Sequence, residues 1–210
     1  NLELSILIIN DNSTEKCNLD LSKNTFFSKI EVLNLKKNLG SQKAIATGLK
    51  YIDENKHKFN DHFIIMDSDG EDDPDKIINI LNLLEQNPES KLITLNRTIR
   101  KESFFFSILY EVHLFFLFLF TFNYIRFGNF SFINKSSINN ISKKKELWLA
   151  YSAAINKFID ERKKIRAPRK SRIAGQSKMS YVNLIRHSIN IQGAYIKNIL
   201  FSYFFYFIIC

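Results

Sequence analysis

The chain has 210 residues, of which 45% are hydrophobic and 24% charged. That length and balance suit one globular α/β domain with its own core, and they exclude a disordered or collagen-like chain. Two cysteines, Cys17 and Cys210, form neither a zinc spacing nor a disulfide framework, which implies a reducing, cytosolic setting.

The formal net charge is +9, and residues 142–178 carry all of it, with twelve lysines and arginines against Glu146, Asp160 and Glu161. Such a block suits an anionic partner: a nucleotide diphosphate, a lipid phosphate or an anionic membrane surface. A nucleic acid is disfavoured, because these basic residues sit in no recognised nucleic-acid motif. The plainer alternative is a solvated surface.

Taken in chain order, Leu4–Ile9 is a short apolar run ending in the polar turn Asn10–Thr14, which predicts a buried strand. Ile30–Leu35 predicts a second strand. Ser41 is placed to cap a helix over Gln42–Asn55, whose Ala44, Ile45, Gly48, Leu49 and Ile52 share one face. His62–Met66 is continuously apolar, which predicts a central strand covered on both sides. Asp73 and Pro74 fit the cap and first position of a helix striped by Ile77, Ile78, Leu81 and Leu84. Lys91–Leu95 predicts the next strand, ahead of Arg97 and Arg100.

Residues 104–125 form a phenylalanine-rich run broken by Glu111, His113 and Asn123. These polar positions argue for a helix in the membrane interface, or a buried core helix, over a simple span. Gly128–Phe132 reads as a turn and short strand, Glu146–Arg162 as one helix, Lys163–Arg172 as a basic segment, extended or loop, and a last helix begins near Ser180. No internal repeat and no signal peptide is present. The alternation of strands and helices predicts a doubly wound, mostly parallel sheet with its ligand beyond the carboxyl ends of the strands. The polar clusters at 10–14, 67–73 and 96–100 all fall there.

Asp67 and Asp69 directly follow an apolar strand, and two carboxylates at that spacing can address one hard divalent cation, Mg²⁺ or Mn²⁺. An acidic helix start explains Asp73 and Asp75 but explains Asp67 and Asp69 less well. An EF-hand is excluded because Gly70 falls fourth from Asp67, where a sixth-position glycine is needed. An Asp-x-Asp phosphatase is disfavoured by Glu71, which stands where a threonine is expected. Gly40-Ser41-Gln42-Lys43 does not fit a P-loop. The four histidines form no constellation.

The stretch Asp67-Ser68-Asp69-Gly70-Glu71-Asp72-Asp73-Pro74 resembles the Asp-x-Asp region of family 2 glycosyltransferases, the group containing dolichol-phosphate mannosyltransferase. The likeness continues in order through Ile8–Thr14, Asn38–Gly48, Arg97–Ser103, Gly128–Ser131 and Arg172–Met179, and covers about residues 4–195. Each motif alone is weak, but six in order are specific. The resemblance implies a GT-A (Rossmann-like) fold, a UDP- or GDP-linked sugar donor and Mg²⁺ or Mn²⁺. It implies Asp11 near the base or ribose, Asp67 near the nucleotide, and Asp69 on the metal with the diphosphate. Arg97 and Arg100 would approach phosphate or acceptor, and Arg172, Ser177 and Lys178 would hold the diphosphate or an acceptor phosphate.

The acceptor implied is a polyprenyl phosphate or a growing surface polysaccharide, at the cytoplasmic face of a membrane. Residues 196–210 read as the start of an apolar segment able to enter one, behind a 1–195 transferase domain with a helical, membrane-proximal C-terminal part. The family usually opens with a strand ending in Pro-x-Tyr-Asn, absent here, so the sequence reads as a fragment. Asn129 stands where polyprenyl-phosphate relatives carry Gly-Asp-Phe, and an amide cannot act as a general base. An ionised phosphate acceptor needs none, whereas a sugar hydroxyl would need Glu71 or Glu146. A sugar-nucleotide-binding homologue without turnover is the non-enzymatic alternative.

Overall fold

The computed structural model describes residues 3–14, 27–97, 104–121, 123, 125–167 and 181–209. Strands β1 (Ser5–Asn10) and β2 (Lys29–Asn34) pair in parallel, with Ser5 opposite Lys29 and Asn10 opposite Asn34. A second sheet has the order β3-β5-β4-β6, from β3 (His62–Ile65), β4 (Leu92–Arg97), β5 (Phe127–Asn134) and β6 (Arg162–Ala167). β4 and β6 run parallel, but β5 is antiparallel to both its neighbours.

The expectation of a mostly parallel sheet is therefore corrected to a mixed one. Parallel strands need a crossover that returns across the sheet. Helix α3 (Phe104–Thr121), which links β4 to β5, packs chiefly against α7 (Ile196–Ile209) instead, so β5 enters reversed. The apolar run of β3 is covered on both faces, with Phe63 and Ile65 against one cluster and Ile64 against the other. Yet β3 is not central, since β5 is its one strand partner among the described residues.

Helix α1 (Ser41–Glu54) buries Ala44, Ala46, Gly48, Leu49 and Ile52, the face its periodicity predicts. It lies close on β1, because a Cβ at Gly48 would sit 3.0 Å from Ile9. Gly40 occupies the cap position with φ 85 and no side-chain cap bond, so Ser41 is the first helical residue and not the cap. Helix α2 (Lys76–Gln86) starts after a tight lead-in at Pro74 and Asp75. Asp73 Oδ1 accepts the Asp75 N–H at 3.1 Å, the bond expected of a cap.

One further segment departs from expectation. Residues 146–162 are not one helix: a 3-10 turn (Lys145–Trp148) is followed by extended Ala150 (φ −157, ψ 120) and then α5 (Tyr151–Phe158). The break turns both Leu147 and the Tyr151–Ile155 run into the main core. The basic segment from 162 is the edge strand β6, whose lysines and arginines suit a sheet edge that must not pair further. Helices α4 (Lys135–Ile141) and α6 (Tyr181–Ala194) and a short 3-10 turn (Lys56–Lys58) complete the described elements, and α4 is capped by the Asn134 side chain, which accepts the Ser137 N–H at 3.0 Å.

The core forms two clusters on opposite faces of the four-stranded sheet. One holds Leu92, Ile133, Ile138, Leu147 and Tyr151; the other holds Ile80, Ile93, Leu95, Phe130 and Phe132. Among the described residues no helix is long and apolar enough to cross a membrane. Helix α3 buries Leu114 and Leu117 while Phe115, Phe116 and Phe118 stay exposed.

Candidate active site

Asp67 follows β3 at its carboxyl end, and the acidic loop is held largely by its own side chains. Asp72, buried, accepts the Asp67 N–H at 2.9 Å through Oδ2. Asp69 Oδ1 accepts the Glu71 N–H at 3.0 Å, across Gly70 at φ 82. Glycine suits that left-handed angle, so the loop doubles back within three residues. Glu71 stands part-buried on the same loop. The acid run is thus divided: Asp72 and Asp73 build the loop and the start of α2, while Asp67 and Asp69 stand at its head.

Because β5 is reversed, its first residues meet the end of β3. The Asn129 amide donates from Nδ2 to Asp67 Oδ1 at 3.1 Å and to Oδ2 at 3.4 Å. Asn129 Oδ1 accepts from Gln42 Nε2 at 3.1 Å, and Gln42 Oε1 accepts the Tyr151 N–H at 2.8 Å. Ala150, ahead of α5, has no capping side chain, so Gln42 serves the orphan N–H of α5 from another helix. The Tyr151 hydroxyl lies 2.7 Å from Ser131 Oγ; burial pushes it well above its usual range, and the bond to Ser131 offsets only part of that.

Asp11 closes the turn after β1. Its Oδ1 accepts Leu39 N–H at 2.7 Å and its Oδ2 accepts Gly40 N–H at 2.8 Å, while Asn38 Nδ2 bonds its backbone oxygen at 2.9 Å. Asn12 takes φ 52, a left-handed angle that asparagine tolerates better than most residues. Asp11 thus holds the turn that opens α1, two residues ahead of Gln42, and Gln42 in turn contacts Asn129, which contacts Asp67.

Glu146 is placed differently. Its carboxylate bonds Lys157 Nζ at 3.0 Å, and that lysine also donates to Ala194 O at 2.7 Å. Burial alone would raise the Glu146 pKa, but the Lys157 hydrogen bond and charge outweigh it and hold the carboxyl below its usual value. Glu146 thus ties the 3-10 turn to α5 and α6. Arg97 is the last residue of β4, in register with Ala167. Arg100, Arg172, Ser177 and Lys178 lie outside the described residues. Sequence reasoning missed Gln42 and Tyr151 as site residues, because their parts depend on where α5 begins.

Among the described residues no group of three His, Cys, Asp or Glu side chains could hold a metal alone. Asp67 and Asp69 fit a hard cation that takes one or two protein carboxylates and completes its shell from water and substrate phosphates. They do not fit a self-sufficient protein cage.

A mixed sheet flanked by helices is consistent with a GT-A transferase domain. The family model described as Glycosyl transferase family 2 matches residues 1–147, and the chain belongs to that family. It is accordingly a glycosyltransferase domain, of a family that moves a sugar from a nucleotide-sugar donor to an acceptor. No curated protein matches the chain.

Proposed function

We propose that the protein transfers a sugar, with inversion, from a UDP- or GDP-linked donor to a polyprenyl phosphate or surface-polysaccharide acceptor, as dolichol-phosphate mannosyltransferase-like enzymes do. The observation that carries this reading is the Asp67–Asp69 pair at the carboxyl end of β3, held by loop bonds from Asp72 and Glu71. Mg²⁺ or Mn²⁺ held by these carboxylates would offset the charge of the departing diphosphate. Asp67 and Asp11 face the nucleotide in this reading. Arg97, Arg100, Arg172, Ser177 and Lys178 supply cations and a hydroxyl to phosphate oxygens.

Two features support an acceptor that arrives already ionised. Asn129, beside Asp67, takes no proton at neutral pH, and Glu146 is engaged by Lys157. Glu71 is the base if the acceptor is a sugar hydroxyl. A position at the cytoplasmic face of a membrane is supported by the exposed apolar side chains of α3, α6 and α7. Phe201, Phe204 and Phe207 of α7 are 71%, 63% and 84% exposed. Exposed apolar surface of this kind marks membrane or protein contact.

Calorimetric titration of UDP, GDP and their sugars, with and without Mn²⁺, tests the reading beside Asp69→Ala. Metal-dependent binding of one nucleotide, lost in the variant, is the expected result. No binding to the folded protein would remove the donor site and favour a non-catalytic membrane-associated protein.

A further inference from the structure

The polar contacts behind Asp67 have a direction. A backbone N–H can only donate, so the Tyr151 amide fixes an oxygen of the Gln42 side chain toward itself, at 2.8 Å. The Gln42 NH₂ must then face Asn129, whose oxygen receives it at 3.1 Å. That leaves the Asn129 NH₂ for Asp67, whose two carboxylate oxygens lie 3.1 and 3.4 Å away. Each amide has one side of each kind, so setting the first sets the rest. The start of α5 thereby dictates that Asp67 meets a donor, which orients its carboxylate.

We propose that Gln42 and Asn129 are positioning residues: a one-way amide relay from α5 that fixes the Asp67 carboxylate for donor binding. This rests on the reading of Asp67 as a donor-side residue given above. Neither amide needs to touch substrate.

Gln42→Glu reverses the relay without touching Asp67. One oxygen of the introduced carboxylate still receives the Tyr151 N–H, but the other now needs a donor, so the Asn129 amide turns and presents its oxygen to Asp67. When Gln42→Glu is combined with Asp67→Asn, the amide introduced at position 67 can donate to that oxygen, and the line is satisfied again. Mn²⁺-dependent UDP and GDP binding, by calorimetry and by the Mn²⁺ paramagnetic resonance signal, is measured beside thermal unfolding. Affinity in Gln42→Glu is expected to fall tenfold or more, and its melting temperature to fall. The double variant is expected to melt above Gln42→Glu while nucleotide binding stays lost. Such coupling is what a packing role without polar contacts does not produce, and Asn129→Ala, which adds no charge, separates the relay from simple relief of charge repulsion between positions 42 and 67.

Asp67→Ala separates the two ideas. If it leaves nucleotide binding intact, or if the unaltered protein binds neither nucleotide, the donor-side reading of Asp67 falls and the relay with it. If Asp67→Ala abolishes binding but Gln42→Glu does not weaken it, the relay alone is overturned. It is also overturned if the double variant melts no higher than Gln42→Glu. Should Gln42→Glu fail to fold, Asn129→Ala removes the amide without adding charge, and unchanged binding by that variant overturns the proposal.

Discussion

Asp11 Oδ2 accepts the Gly40 N–H at 2.8 Å, pinning the turn that launches α1 to the end of β1. Its other oxygen takes the Leu39 N–H, so one carboxylate serves two backbone donors. Asp11→Ala leaves both without that acceptor, and a lost partner of this kind costs about 1–3 kcal/mol where the donor is shielded from water. Gly40→Ala has open space for its Cβ, so its cost is backbone strain alone, about 1–3 kcal/mol at φ 85 and ψ 154, a region essentially confined to glycine. Denaturant unfolding measures both. Equal stability of Asp11→Ala and the parent would show that the clamp contributes nothing.

The Glu146–Lys157 pair carries a pH signature. The Glu146 pKa is held below its ordinary 4.5 by the Lys157 hydrogen bond, against burial. A depressed carboxylate contributes stability above its unfolded pKa and loses it as pH falls through the folded value. Glu146→Gln should therefore be less stable than the parent at pH 7, by about 1 kcal/mol. The gap should close as pH drops below about 4.5. Melting curves across pH 3–7 check this; a gap that persists at the acid end contradicts it.

Tyr151→Phe removes the hydroxyl opposite Ser131 in a fully buried setting. Ser131 keeps its bond to the Asn129 backbone oxygen at 2.9 Å, so the loss is limited to about 1 kcal/mol. The Tyr151 N–H, and with it the Gln42 contact, is untouched by this change. Stability should fall while nucleotide affinity holds; a large loss of affinity would show that the hydroxyl itself matters at the site.

The exposed face of α7 gives a fourth prediction. Replacing Phe201, Phe204 and Phe207 together by serine should leave unfolding nearly unchanged, since exposed substitutions usually move stability by less than about 0.5 kcal/mol each. Co-sedimentation with vesicles containing anionic phospholipid should drop several-fold. Undiminished sedimentation would move the membrane contact elsewhere on the chain.

Much of the first hundred residues was legible, because strand and helix there are separated by clear turns; the apolar stripe expected of α2 is the exception, since Ile78 is exposed and Ile80, outside that stripe, is fully buried. The Ser5–Asn10 strand, the Ser41–Glu54 helix and the acidic loop after β3 all stand close to where pattern puts them. The later part was harder for identifiable reasons. Residues 146–162 keep helical spacing through Ala150, whose extended backbone is imposed by packing that no local propensity signals. The basic run from 163 reads as extended or loop, and its pairing with β4 is what makes it a strand. The direction of β5 was illegible, since it depends on where α3 packs. Asn129 was noticed as a departure from a motif, but its contact with Asp67 needed that direction to be known.

The reversed β5 has a last consequence. Ile65 pairs with Ser131 in its register, which carries Asn129 on to Asp67 two residues further along. On the same strand Phe130 and Phe132 fill one cluster and Ile133 the other. A slip by one residue would exchange the two faces and bring a phenylalanine or a glycine to the acidic loop. Oily side chains buried in the interior therefore decide which functional group stands at the mouth. A substitution at Phe130 or Phe132 that loosens this alignment would be felt as altered chemistry at a carboxylate it never touches.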